Sequence, residues 1–271
     1  VAATLEGNFK FLSIFKWEPR KGWDSLFKAY FSAFTSSDPV SLTVVTFIWA
    51  PDPTKVPDTR DPIRINKDIK KIAEEMFRSR PEFKNSDIPV AQMLEKLPHY
   101  EIVTHHISER DVLQLYKSVD CFVLPSRGEG WGLPIIQAMA MELPTITTNF
   151  SGMTEFTNED VAYLIPSTEE PVPHEFRKMY GLIATDENGD QREEADSTPY
   201  GWGAADHAVM VDVMQRVFKL GAGHPELRAM GQRARRHVQK HYSTTAVAEF
   251  IAKEILRVEL EYAKRKKKGS N

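Results

Sequence analysis

Short apolar runs alternate along the chain with longer stretches of helical period, the succession expected of a Rossmann-like parallel sheet with helices on both faces. Strands are predicted over 9–15, 41–49, 100–104, 121–124, 145–148 and 162–165, and helices over 22–34, 65–78, 108–118, 134–141, 205–220, 225–241 and 244–264. The run Cys121-Phe122-Val123-Leu124 is apolar throughout, the pattern of a parallel strand buried on both faces. Ser108 followed by Asp111 has the form of a capping box with the shorter acid. In the last helix Val247, Ile251, Ile255, Val258 and Tyr262 share one stripe, which predicts that this face is buried in the core.

Two segments break the alternation. Pro51 to Pro62 is rich in Pro and Asp and reads as a surface loop, and Asp186 to Pro199 carries six acids and few apolar residues, an excursion outside the core. The expected organisation is a linker over 1–8, one domain over 9–262 containing that excursion, and a basic tail over 263–271, with Lys264 to Lys268 solvated. With 41% hydrophobic and 27% charged residues the chain has the composition of a globular domain, and a net charge of −3 gives no basic field for nucleic acid. No apolar run has the length of a membrane span and no signal pattern opens the chain, so a cytoplasmic location is expected. Cys121 is the single cysteine, which excludes an internal disulfide and suits a small core residue. The chain begins at Val1, which suggests a fragment.

Candidate chemistry centres on Ser126-Arg127-Gly128-Glu129-Gly130-Trp131-Gly132-Leu133-Pro134, a glycine-rich turn between an apolar strand and a helix. Backbone N–H groups at a helix start have no internal partner and lie at the positive end of its dipole, so an anion is favoured there. Gly130 and Gly132 allow close approach to the backbone, and Pro134 suits the first helical position. The turn lacks the third glycine of a dinucleotide fingerprint and the Gly-Lys-Ser/Thr of a P-loop. A strand-to-helix connection without a ligand is the plainer reading; against it, Glu129 is a loop carboxylate well placed to accept hydrogen bonds from ligand hydroxyls.

The run Glu129-Gly130-Trp131-Gly132-Leu133-Pro134, together with Leu143-Pro144-Thr145-Ile146 and Ser151-Gly152-Met153-Thr154-Glu155, resembles the donor-binding half of retaining glycosyltransferases of family 4, which have the GT-B fold. The likeness extends upstream to Lys16-Trp17-Glu18-Pro19-Arg20-Lys21-Gly22 and His106-Ile107-Ser108-Glu109, and downstream to the helices from Asp206 to Arg235. It implies the C-terminal half of a GT-B fold, a nucleoside-diphosphate sugar as substrate, no cofactor and no required metal. It also implies an acceptor-binding N-terminal domain missing from this chain; the acceptor itself is not readable.

By the resemblance, Glu129 contacts the transferred sugar as the catalytic acid of the family's Glu-x7-Glu signature, and Gln137 stands where the second acid usually holds the ribose. An amide still hydrogen-bonds a diol, without charge assistance. Lys21 is expected on the diphosphate beside N–H groups of Gly130, Trp131, Gly132 and Leu133. The family's upstream arginine is replaced, since the positions five and six before Lys21 are Lys16 and Phe15; Lys16 or Arg20 is expected to supply its charge. These departures keep two alternatives open: a nucleotide-sugar-binding module without catalysis, and another GT-B enzyme such as an epimerase. His237 and His241, one turn apart, have a metal-clamp spacing but read as cations near a helix end, and His105-His106 reads as a strand end.

Overall fold

The protein is described here by a computed structural model covering residues 7–47, 62–79, 88–177 and 201–268. The acidic excursion over 186–199 and nearly all of the Pro51 to Pro62 loop lie outside these residues; Pro62 itself opens a helix. Strand β1 (Phe9–Lys16) leads through a 3-10 turn (Pro19–Lys21) into α1 (Trp23–Ala33), followed by β2 (Val40–Phe47), α2 (Pro62–Ser79), α3 (Val90–Leu94), β3 (His99–Val103) and α4 (Glu109–Lys117). Next come β4 (Cys121–Leu124), α5 (Leu133–Ala140), β5 (Thr145–Thr148), a 3-10 turn (Ser151–Glu155), β6 (Tyr163–Ile165), β7 (Ser167–Pro171) and α6 (His174–Arg177). The described chain closes with β8 (Gly201–Ala205), α7 (His207–Leu220), α8 (Pro225–Tyr242) and α9 (Thr244–Lys268).

Six strands form one parallel sheet in the order β3-β2-β1-β4-β5-β6. Both β4 and β5 are buried at every position, as central strands covered on both faces must be. In β5 the Thr147 hydroxyl donates to the Leu124 carbonyl at 3.1 Å, while the Thr148 hydroxyl is buried without a partner among the described residues; Ser13 in β1 donates to the Val123 carbonyl at 2.5 Å. Packing under α1 is aromatic, with Phe11, Tyr30 and Phe34 in mutual ring contact. The order reverses between β1 and β4, so the chain leaves these two neighbours in opposite directions and opens a crevice at their C-terminal ends. The Cys121 thiol is fully buried in β4, and burial pushes its pKa up, against a nucleophile's role.

The predicted strands all occur, with ends shifted by at most one residue within the described chain; residues 48 and 49 lie outside it. Ser108 caps α4, its hydroxyl accepting from the Asp111 N–H at 3.2 Å. Four expectations are corrected. Helix α5 begins at Leu133, so Pro134 is its second residue. Residues 201–205, assigned in part to a helix from Ala205, form the second arm of an antiparallel hairpin with β7, because Gly-Trp-Gly-Ala-Ala has too little apolar periodicity to be read as a strand. The basic run from Lys264 continues α9 to Lys268 instead of forming a separate tail. The stripe on α9 is not buried: Val247, Ile251, Ile255, Val258 and Tyr262 are between 42% and 69% exposed, and α8 is the element against which α9 packs. Periodicity identified an apolar face but carries no information on what covers it.

Candidate functional site

The site is assembled from the two segments that leave the crevice strands. After β1, Gly22 ends the first 3-10 turn in the left-handed region at φ 68° and caps α1; a Cβ there would stand 2.0 Å from the Pro125 carbonyl oxygen. This contact seats the start of α1 directly on the end of β4. Backbone bonds then join the segments: the Arg127 N–H donates to the Arg20 carbonyl at 2.8 Å, and the Ser126 hydroxyl donates to the same oxygen at 3.1 Å.

Arg127 is the main fastener. Its guanidinium donates to both Asp24 carboxylate oxygens at 2.6 and 2.7 Å and to the Pro19 carbonyl at 2.6 Å. Burial alone would raise the Asp24 carboxyl, but the hydrogen bond and charge of Arg127, aided by Lys28, hold it below its ordinary 3.8. On the other side of the loop, Ser151 adopts φ 62°, rare for a residue with a side chain, and its hydroxyl accepts from the Glu129 N–H at 3.3 Å while donating to the Glu129 carbonyl at 2.9 Å. Gly152 packs so closely that a Cβ would lie 2.5 Å from the Gly130 carbonyl oxygen.

These restraints bring Lys21 and Glu129 together. The Lys21 ammonium donates to both carboxylate oxygens, at 2.6 and 2.7 Å, with the side chains only 12% and 7% exposed. Arg20 stands 3.5 Å from both Glu129 and Glu18 and donates to the Gly128 carbonyl. Two cations therefore face two carboxylates in a charge-balanced cluster. Among the described residues the backbone N–H groups of Gly130, Trp131, Gly132 and Leu133 beside it make no hydrogen bonds, and Gly130 and Leu133 are exposed. Trp131 is braced against Phe156 and Tyr242, with ring centroids 5.4 and 5.6 Å away.

Two sequence candidates lie apart from this cluster. Lys16 turns toward β2, its Nζ 6.0 Å from the centroid of the Phe47 ring, so Arg20 is the basic residue brought next to Lys21. Gln137 is exposed on α5, where its amide oxygen accepts from the Tyr116 hydroxyl at 3.3 Å. Beyond the ends of β2 and β3 a cavity of about 370 Å³ is lined by Thr46, Phe47 and Thr104 to Ile107, so His105 and His106 follow the strand and face a cavity. The Thr46 hydroxyl is buried there without a partner among the described residues. His237 and His241 have ring centroids 5.0 Å apart, but burial and the neighbouring His241 push His237 down, toward the neutral form and against the cation expected at that helix end. Among the described residues no group of three or more His, Cys, Asp and Glu side chains is arranged to hold a metal ion.

Residues 81–177, which contain the Glu129 loop, match the sequence model of the family described as glycosyl transferases group 1. That stretch of the chain is similar to this family. CapM of Staphylococcus aureus, a capsular polysaccharide biosynthesis glycosyltransferase, is 32% identical over 65 residues, 24% of this chain and 17% of CapM. Anabaena Alr3699/HepE, solved in complex with UDP and glucose, superposes with a TM-score of 0.57 at 12% identity, covering 94% of this chain and 50% of HepE. The C-terminal domain of the group 1 glycosyl transferase LpcC from Francisella tularensis superposes with a TM-score of 0.53 at 13% identity, covering 88% of this chain and 89% of that domain. The chain thus spans about half the length of HepE and nearly all of the LpcC domain, and its fold is the C-terminal half of GT-B.

Arg127, Asp24 and Ser151 hold this cluster in place, and the sequence assigned none of them a role. Arg127 is legible afterwards as a charged residue directly following a buried strand, a place where a long cation must find a partner. Ser151 stands in one of the runs that carry the resemblance, but its hold on Glu129 depends on a backbone conformation that the sequence does not mark.

Proposed function

We propose that the domain binds a nucleoside-diphosphate sugar at the crevice between β1 and β4 and transfers the sugar with retention at its anomeric carbon. The observation carrying this reading is the Lys21–Glu129 pair beside unoccupied backbone N–H groups. An ammonium has three donors; two are engaged by Glu129, and the third is available to a phosphate oxygen. As the glycosidic bond breaks, its electron pair leaves with the diphosphate, which Lys21 and the N–H groups of Gly130 to Leu133 stabilise. Positive character develops on the sugar, and the Glu129 carboxylate stabilises it. The cavity beyond β2 and β3 offers room for the nucleoside, with the Thr46 hydroxyl as an unused polar group. HepE's complex with UDP and glucose supports the substrate class.

The acceptor is held largely by a second domain in this reading, and no metal or cofactor takes part. Gln137 favours one rival: without a second carboxylate, donor contacts weaken and a domain that binds without transferring becomes the alternative. The test is transfer from UDP-sugars by the protein in the presence of sugar acceptors, followed by proton NMR of the anomeric centre. Retained configuration is expected; UDP binding without turnover supports the binding module, and inversion or isomerised donor overturns retaining transfer.

A further inference from the structure

A second cavity, of about 300 Å³, opens at the same C-terminal end of the sheet and shares both segments that hold the Lys21–Glu129 pair. Pro19, Trp23 and Asp24 line it from the segment after β1, and Arg127 lines it from the segment after β4. The β7–β8 hairpin and the start of α6 close the other side. Resting on the reading that Lys21 and Glu129 take the donor, we propose that this cleft is a carbohydrate subsite for one neutral pyranose ring of the acceptor.

The lining selects this chemistry. On the hairpin side Pro171, Pro173, Phe176 and Trp202 form an apolar wall, with the Phe176 and Trp202 rings stacked at 5.6 Å. A pyranose presents C–H groups on its faces, which suit apolar and aromatic surfaces, and hydroxyls around its rim. Polar groups for the rim are present: Glu170 offers a carboxylate, and among the described residues the Trp23 indole N–H is buried without a hydrogen-bond partner. A hydroxyl both donates and accepts, so a sugar satisfies the two together.

Other ligand classes fit less well. Among the described residues the one cation in the lining, Arg127, is engaged bidentately by Asp24 and by the Pro19 carbonyl, leaving Glu170 to set the charge. A phosphorylated ligand meets net negative charge. A hydrocarbon leaves carboxylate and indole N–H groups desolvated without partners, which is costly. The size is at the lower end for ligand pockets, enough for one ring and not for an extended glycan. Pro19 lies two residues before Lys21 and Arg127 two before Glu129, so a ring in the cleft is held by the segments that also hold the donor cluster.

The test is a heteronuclear NMR titration of the indole N–H signals, assigned by single Trp→Phe substitutions, with UDP and separately with methyl glycosides of glucose, galactose, mannose and N-acetylglucosamine. UDP is expected to shift Trp131 in the donor loop. At least one neutral glycoside is expected to shift Trp23 and Trp202 saturably, with affinity falling about fivefold or more in Glu170→Gln, the scale of one net hydrogen bond. Glucose 6-phosphate is expected to bind there more weakly than the neutral glycoside. The proposal is overturned if no glycoside moves Trp23 or Trp202, or if the phosphorylated sugar binds this cleft more tightly. Absence of any UDP shift counts against the donor reading, and the glycoside titration still decides the cleft.

Discussion

Lys21 and Glu129, 108 residues apart in sequence, form a bidentate ion pair at 2.6 and 2.7 Å in a nearly solvent-free crevice. Removing one partner of a buried pair leaves an uncompensated charge, a loss of about 3–5 kcal/mol in a dry interior. Arg20 at 3.5 Å softens that loss. Lys21→Met is therefore expected to lower the unfolding free energy by roughly 1–3 kcal/mol, and Lys21→Met/Glu129→Gln to recover most of it. Urea denaturation of the single and double variants measures this; additive losses would mean the two side chains are not coupled.

A second expectation separates binding from chemistry at Glu129. If its carboxylate stabilises charge that develops only as the glycosidic bond breaks, Glu129→Gln lowers kcat by roughly a hundredfold or more while the donor KM changes less. Steady-state kinetics on a transfer-competent protein decide it, and a kcat within a few-fold of the parent assigns Glu129 to holding Lys21 alone.

Arg127 and Asp24 supply a pH-dependent prediction. Because the folded Asp24 carboxyl is held below 3.8, its contribution to stability is complete above about pH 4 and is lost as pH falls through the lowered value. Arg127→Met leaves that carboxylate half-buried without its partner and raises its pKa. The acid-unfolding midpoint, followed by circular dichroism, is expected to move to higher pH. An unchanged midpoint would show that Arg127 contributes nothing through Asp24.

Gln137 gives a test in the opposite direction. A carboxylate accepts hydrogen bonds from a diol with charge assistance, worth about 1 kcal/mol more than an amide. Gln137→Glu is thus expected to tighten UDP binding about fivefold. Equal affinity in calorimetry would place Gln137 away from the ribose.

Much of the architecture was legible because it rests on local pattern. The apolar run at 121–124 and the β-branched run at 145–148 matched two buried strands to the residue, and the Ser108–Asp111 spacing matched a cap. Glu129 was legible as a candidate from its glycine-rich strand-to-helix turn, whereas Lys21 and Arg20 were named through the resemblance to family 4 glycosyltransferases. The choice of Arg20 over Lys16 was not, since it depends on the 3-10 turn that Gly22 ends. Arg127 with Asp24 escaped notice because a pair 103 residues apart in sequence leaves no local trace. The α9 stripe shows the converse failure, an apolar period that describes a face without its neighbour.

The most direct measurement is a calorimetric titration of UDP into the protein and into Lys21→Ala. The account predicts saturable binding to the parent and a loss of about 1.5–3 kcal/mol in the variant, roughly a ten- to hundredfold rise in Kd, the scale of a hydrogen bond to a charged group. UDP binding of equal strength to both proteins would contradict the assignment of the crevice between β1 and β4 as the diphosphate site.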